Sequence, residues 1–392
     1  MRRYILFAFL AGFSVLLSSA PLDAAELSGV LDSTVNYTAG AGSAPGHSFG
    51  LEEYANLRLR ARTGDRGTFF AAFNVTAVFG NYALLSVTNG LAVSGENYAA
   101  AMELERLYFR INGDYVDAEA GLLRMNFGYG NVWGSSDFLN PRNPLFPNAR
   151  PRGVLGINAA FYPEDSLKFM TFITAPKNPL NYEGDGFIPG LSMDKHWDRA
   201  SLQALYSFET PGFGEKYAGV AENGIHRFGL SLKADLELGF ALDALYTLNP
   251  DKYEKIEGLS LGAGFDYNFF GGIFYILAEY LFNGSASATA RGFGGDWSNH
   301  HYMCGSLAYR FNDYCSMNIS TLFCFDDLSF TPLAALNYEV FQGFTLNFSV
   351  RAPLDQKTLG NGKAGELGPV PPWPDGTAGA RLIVNAGAKL RF

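Results

Sequence analysis

The side chains of this 392-residue sequence best placed to do chemistry are cations and carboxylates set at alternate positions. Arg58 and Arg60 alternate with Leu57, Leu59 and Ala61, and Arg106, Tyr108 and Arg110 share one parity a little further on. Arg124 follows Gly121-Leu122-Leu123, while Arg351, Arg381 and Lys389 lie in the last fifty residues. Asp235, Asp243, Asp266 and Glu279 form a separate acidic group. Alternation places each set on one face of an extended chain, where fixed cations attract anions and facing rows of opposite sign create a transverse field. Covalent chemistry is not expected. His47, His196, His226, His300 and His301 show no zinc-like spacing with a carboxylate or Cys. No Ser/His or Asp/His constellation stands out, so neither enzymatic activity nor a cofactor or metal is expected.

These residues need long strands to position them, and the composition fits strands in a membrane. Hydrophobic residues make up 48%, aromatics 15% and charged residues only 17%, against about 25% charged in a soluble domain. After residue 25 no run of 18 apolar residues occurs, so no spanning helix is available. A membrane could then be crossed only by a closed barrel, which satisfies every backbone polar group. The net charge of −9 and the lack of a basic run exclude nucleic acid as a partner.

The reading is therefore all-β: an antiparallel up-and-down transmembrane β-barrel over 26–392, preceded by a cleaved signal peptide over 1–25. Arg2 and Arg3 precede the apolar run Tyr4 to Leu17, and small residues follow; a retained anchor is the alternative. Seventeen alternating segments of about ten residues can be traced. Tight turns such as Gly64-Asp65-Arg66-Gly67 alternate with long stretches at 80–100, 127–151, 176–199, 284–299 and 354–379. Inner-side turns of such barrels are short and outer loops long. An eighteenth strand between Pro211 and Gly224, near Glu215 to Val220, keeps that alternation; sixteen strands is the alternative. No plug domain is expected before the first strand. Aromatics near strand ends on the apolar parity, Tyr37, Phe109 and Tyr309 among them, suit interfacial girdles, although strands favour aromatics anyway. Cys304 and Cys324 share the inward parity of neighbouring strands, open to a cross-strand disulfide or to free thiols.

Two segments carry a family resemblance. Leu382, Val384, Ala386, Ala388, Leu390 and Phe392 fall on one face of the final segment. It resembles the C-terminal recognition strand of Gram-negative outer-membrane proteins, implying the barrel-assembly machinery as a partner and Phe392 as an assembly signal. Residues 121–144 run from Gly121 and Arg124 through Trp133-Gly134 to Asp137, Asn140, Pro141 and Arg142. This is similar to the Gly-x-x-Arg, Trp-Gly, Asp-x-x-Asn-Pro pattern of porin-like barrels such as the alginate-export and related substrate-channel families. The resemblance implies that Arg124, Trp133, Asp137, Asn140 and Pro141 shape a loop folded into the lumen. An ordinary surface loop held by Pro and Asn turns is the alternative.

The expectation is an outer-membrane channel of a diderm bacterium for passive diffusion of small hydrophilic solutes, anionic ones among them. The 127–151 loop would constrict it, and Arg58, Arg60, Arg106, Tyr108, Arg110, Arg124, Arg351, Arg381 and Lys389 would face Asp235, Asp243, Asp266 and Glu279 across the lumen. The alternative for these charges is local pairing, since Glu103, Glu105, Asp117 and Glu119 lie close to the arginines. For the whole molecule the alternative is a surface adhesin or structural barrel. Lipid and small polar solutes are the other expected partners, and the residues leave monomer and trimer open.

Overall fold

The computed structural model describes residues 22–40, 47–80, 91–95, 97–140, 144, 153–175, 186–211, 224–250, 258–284, 299–356, 358–359, 365–368 and 380–392. The described residues form nineteen strands: β1 (Leu22–Gly40), β2 (His47–Thr63), β3 (Gly67–Gly80), β4 (Leu91–Gly95), β5 (Tyr98–Asn112), β6 (Val116–Leu123), β7 (Val154–Glu164), β8 (Leu167–Thr174), β9 (Ile188–Trp197), β10 (Ala200–Glu209), β11 (Ile225–Asp235), β12 (Gly239–Leu248), β13 (Leu259–Phe269), β14 (Phe274–Asn283), β15 (His301–Arg310), β16 (Cys315–Cys324), β17 (Phe330–Phe341), β18 (Phe344–Arg351) and β19 (Ala380–Arg391). All pair antiparallel, and β1 pairs with both β2 and β19, which shuts the ring. Eighteen strands form the closed wall. The nineteenth, β4, pairs only with residues 98–102 of β5, on the edge whose inner stretch, 107–112, pairs with β6. Closure removes unpaired sheet edges, which hydrocarbon would not satisfy.

The two faces of the wall separate by parity. Leu27, Leu31, Val35, Leu57, Leu59, Phe73, Val75, Leu230, Leu242, Phe265, Leu346 and Phe348 are exposed on the outer face. Asn36, Asn56, Asn74, Asn158, Gln203, Ser231 and Asp243 are buried on the inner one. Such alternation is that of a barrel with a lipid-facing band and a polar interior. Glu53 departs from it. Its register opposite Ser33 and Ala77 puts it on the outer face, where Ser33 Oγ donates to it at 2.7 Å. Among the described residues it is the one carboxylate on that face between the strand ends.

Two sequence expectations need correction. The strand that completes the ring is β9, inside the stretch 176–199 read as a loop, and it pairs along its length with β8 and β10. Pro189 and Gly190 masked it, because both residue types usually mark turns. Pro189 is only the second residue of β9, where a missing N–H is tolerated. At Gly190 a Cβ would run into the Phe172 ring of β8, so glycine here admits a buried aromatic. The proposed strand near Glu215 to Val220 lies outside the described residues. The parity of β5 is also broken. Ala72 pairs with Arg106 and Phe73 with Leu104, so Glu105 is an extra residue, a β-bulge that lets Glu103 and Arg106 both face inward.

Candidate functional site

After Leu123 the chain leaves the wall and runs through the interior. Six successive backbone N–H groups are received by three inward side chains. Gly128 N donates to Gln203 Oε1 of β10 at 2.7 Å. Tyr129 N and Gly130 N donate to the two oxygens of Asp243 of β12, at 2.9 and 2.8 Å. Asn131, Val132 and Trp133 N donate to Glu279 of β14 at 2.7, 3.0 and 2.8 Å. Backbone donors to carboxylates are charge-assisted and strong, and a loop held by this many of them has little freedom left. Ser136 Oγ adds a bond to Ser231 Oγ of β11 at 3.0 Å. Asp137 Oδ1 accepts from Asn140 N at 3.1 Å, and Asn140 Oδ1 from Met125 N at 2.8 Å, which folds the loop back on itself.

Apolar side chains seal the loop against the wall. Phe127, Phe138 and Leu139 pack with Met125, Met170, Phe172, Ile188, Leu205 and Leu245. The Arg227 guanidinium lies 5.0 Å from the Phe138 ring centroid and pairs with Glu209 at 2.6 Å. Further along, Trp133 is fully buried among Leu281, Tyr302, Cys304, Leu322, Cys324 and Leu367. Leu367 belongs to a second inward segment, after β18. Leu367 N donates to Ser329 Oγ at 2.9 Å, Thr331 Oγ1 donates to Leu367 O at 2.6 Å, and Glu366 N donates to Asp327 Oδ2 at 2.7 Å. Burial pushes the Asp327 carboxyl up, but the N–H of Glu366 and both donors of Ser329 outweigh it and hold the group below its ordinary range. Cys324, Asp327 and Glu366 bring possible ligand atoms within 4.8 Å of one another. Both carboxylates already receive hydrogen bonds from Asn299, Tyr302 or Ser329, so the group reads as the knot that docks this segment.

The inner end of the opposite wall is open. Arg60, Arg62, Asp65, Thr68 and Asn112 line a recess of about 460 Å³. Arg60, Phe70, Tyr108 and Arg110 line a neighbouring one of about 230 Å³. Arg60 and Arg62 make no ion pair among the described residues, although Glu26 stands opposite Arg60 in register. Their neighbours are compensated. Arg110 pairs with Glu119, and Arg106 lies 3.7 Å from Glu105 and 4.9 Å from the Phe70 ring centroid. Lys389 pairs with Asp32 at 2.9 Å.

No family model and no curated protein matches the chain. Solved structures match in fold along nearly its whole length. OccAB4 of Acinetobacter baumannii superposes with a TM-score of 0.57 at 10% identity, covering 95% of this chain and 98% of that one. OccK8 (OprE) of Pseudomonas aeruginosa gives 0.57 at 10% identity over 95% and 99%. OccK5 (OpdH) of the same organism gives 0.52 at 11% over 94% and 98%. The chain shares the fold of these proteins, a closed antiparallel barrel of 18 strands.

Within this barrel the residues singled out from sequence divide into groups. Arg58, Arg60, Arg106, Tyr108, Arg110, Arg351 and Lys389 take inward positions on β2, β5, β18 and β19. Arg58 Nε donates to Asn56 Oδ1 at 2.6 Å. Arg124 is half-buried where the chain turns inward. Arg381 lies in β19, its side chain outside the described set; Pro141 and Arg142 lie outside the described residues altogether. Asp266 faces inward opposite Gly239, and Asp235 ends β11, pairing with Lys233 at 3.1 Å. Asp243 and Glu279 are the correction. Read as an open acidic wall, they are 3% and 2% exposed and saturated by loop amides. Nothing in the sequence marks Gln203 as a loop anchor; Arg62 shares the parity of Arg58 and Arg60, which is its only sequence signal. Cys304 pairs in register with Leu322 and Cys324 with Tyr302, which sets the two thiols diagonally. All three cysteines are free. Phe392 adds to the seam: its N and O bond with Gly29 of β1.

Proposed function

We propose that the chain is a channel for passive diffusion of small hydrophilic solutes across the outer membrane of a diderm bacterium. The observation carrying this reading is a closed ring, apolar outside and polar inside, with a loop anchored across part of its interior. A wall of 16–18 strands encloses more space than its own side chains fill. The Gln203, Asp243 and Glu279 anchors hold the 124–140 loop against β10 to β14, so the free path runs along the β1–β5 side. Solutes on that path meet Arg60 and Arg62 near the inner mouth, and small anions are favoured there over cations. The final strand and Phe392 are the features that barrel-assembly machinery would engage.

Reversal potentials across a salt gradient test the selectivity. The native channel is expected to favour anions. Arg60→Ala with Arg62→Ala is expected to move the reversal potential toward zero, while Lys389→Ala, already paired to Asp32, moves it less. An unchanged potential in the double variant would remove these arginines from the solute path.

A further inference from the structure

Three of the five histidines repeat one arrangement around the ring. His47 opens β2, His226 is the second residue of β11, and His301 opens β15. Each is the first outward-facing residue of a strand returning from an outer connection. In each, Nδ1 is hydrogen-bonded to the hydroxyl of a tyrosine on the preceding strand: Tyr37 at 2.8 Å, Tyr206 at 2.9 Å and Tyr280 at 2.6 Å. The registers coincide. Tyr37 pairs with Phe49, Tyr206 with Phe228 and Tyr280 with Met303, so the histidine always stands two residues before the tyrosine's partner. The rings lie near parallel, 17°, 29° and 26° apart, with centroids at 5.8, 6.1 and 6.1 Å. Phe208 and Phe282 flank the second and third pairs.

A girdle needs aromatic rings; it does not need imidazoles. With a tyrosine hydroxyl donating to Nδ1, the neutral imidazole carries its proton on Nε2. The imidazolium carries protons on both nitrogens. In either state Nε2 keeps an N–H to donate. In an outer leaflet, lipid headgroup oxygens would stand next to these ends, phosphate oxygens the strongest acceptors among them; at the third pair the Asp326 carboxylate is already taken by the backbone N–H groups of His300 and His301. We infer that the three His–Tyr pairs, each at the outer end of its strand pair, are binding sites for the phosphate groups of outer-leaflet lipid. This rests on the membrane placement proposed above but not on transport, so a conducting barrel that fails the test below leaves the channel reading intact.

The test uses the full chain, ¹⁵N-labelled at histidine and folded into phosphatidylglycerol vesicles. Nitrogen–phosphorus recoupling by solid-state NMR should attenuate the protonated Nε2 signals of His47, His226 and His301, assigned by single His→Phe variants. His196 and His300 should keep full intensity. No attenuation at the three, or equal attenuation at all five, would overturn the inference. A second measurement compares melting temperatures in phosphatidylglycerol and in digalactosyldiacylglycerol, which has no phosphate. The native barrel should melt higher with phosphate, and the triple variant His47→Phe, His226→Phe, His301→Phe should lose that difference while still folding. A difference that survives in the triple variant places the lipid elsewhere and refutes the assignment. Inorganic phosphate added to galactolipid vesicles should not restore it; restoration would assign the sites to free phosphate instead. A chain that does not insert into either vesicle defeats this inference and the membrane reading together.

Discussion

Two carboxylates carry most of the loop's attachment to the wall, and a single atom exchange tests them. Glu279 accepts three backbone N–H groups and Asp243 two. Glu279→Gln keeps the shape but turns one acceptor oxygen into a donor facing donors. Leaving a buried N–H without its partner costs about 1–3 kcal/mol. Glu279→Gln should therefore loosen the 124–140 loop and give larger, noisier single-channel steps, with Asp243→Asn acting in the same direction. Steps of native size and noise in both variants would show that this loop does not limit the path. Sequence parity placed both carboxylates inward, but not their role. A free lumen charge and a loop anchor look alike until the donors are seen, and those donors are main-chain groups from more than a hundred residues away. Arg60 and Arg62 pose the converse problem. Their lack of an ion pair among the described residues depends on side-chain reach, which alternation does not encode.

Strand parity was the most legible feature, because a two-faced wall between lipid and water must repeat every second residue. Legibility failed where one residue broke the period. The Glu105 bulge shifts parity within β5, and Pro189-Gly190 gives β9 the look of a turn. On the outer face Glu53 is the local exception. Replacing it by an apolar residue removes a carboxylate from the hydrocarbon-facing band at the loss of one hydrogen bond from Ser33. Glu53→Leu should stabilise the folded barrel by roughly 1 kcal/mol, read as a higher urea midpoint in vesicles; a lower midpoint would mean that a polar partner covers this face. The closing seam is sensitive in the other direction. A Cβ on Gly29 would stand 2.6 Å from the Phe392 ring and 2.8 Å from the Asn56 carbonyl oxygen. Gly29→Val should cost about 1–3 kcal/mol and slow the folding of refolded protein, followed by the heat-dependent mobility shift of the barrel on gels. Native stability in Gly29→Val would show that the β19–β1 seam tolerates repacking.

At the scale of the whole molecule, closure converts a patterned chain into a hollow wall, and the two inward segments determine how much of the hollow remains. The 124–140 loop and the 365–368 segment meet around Trp133, and the proposed channel would run along the arginine-lined side. Single-channel recording of the refolded mature chain in a planar lipid bilayer tests this account most directly. It predicts stepwise, voltage-independent openings of small unit conductance, as expected of a wide ring with a loop across it. A bilayer that stays sealed at every voltage, from protein shown to be inserted and folded, would contradict it.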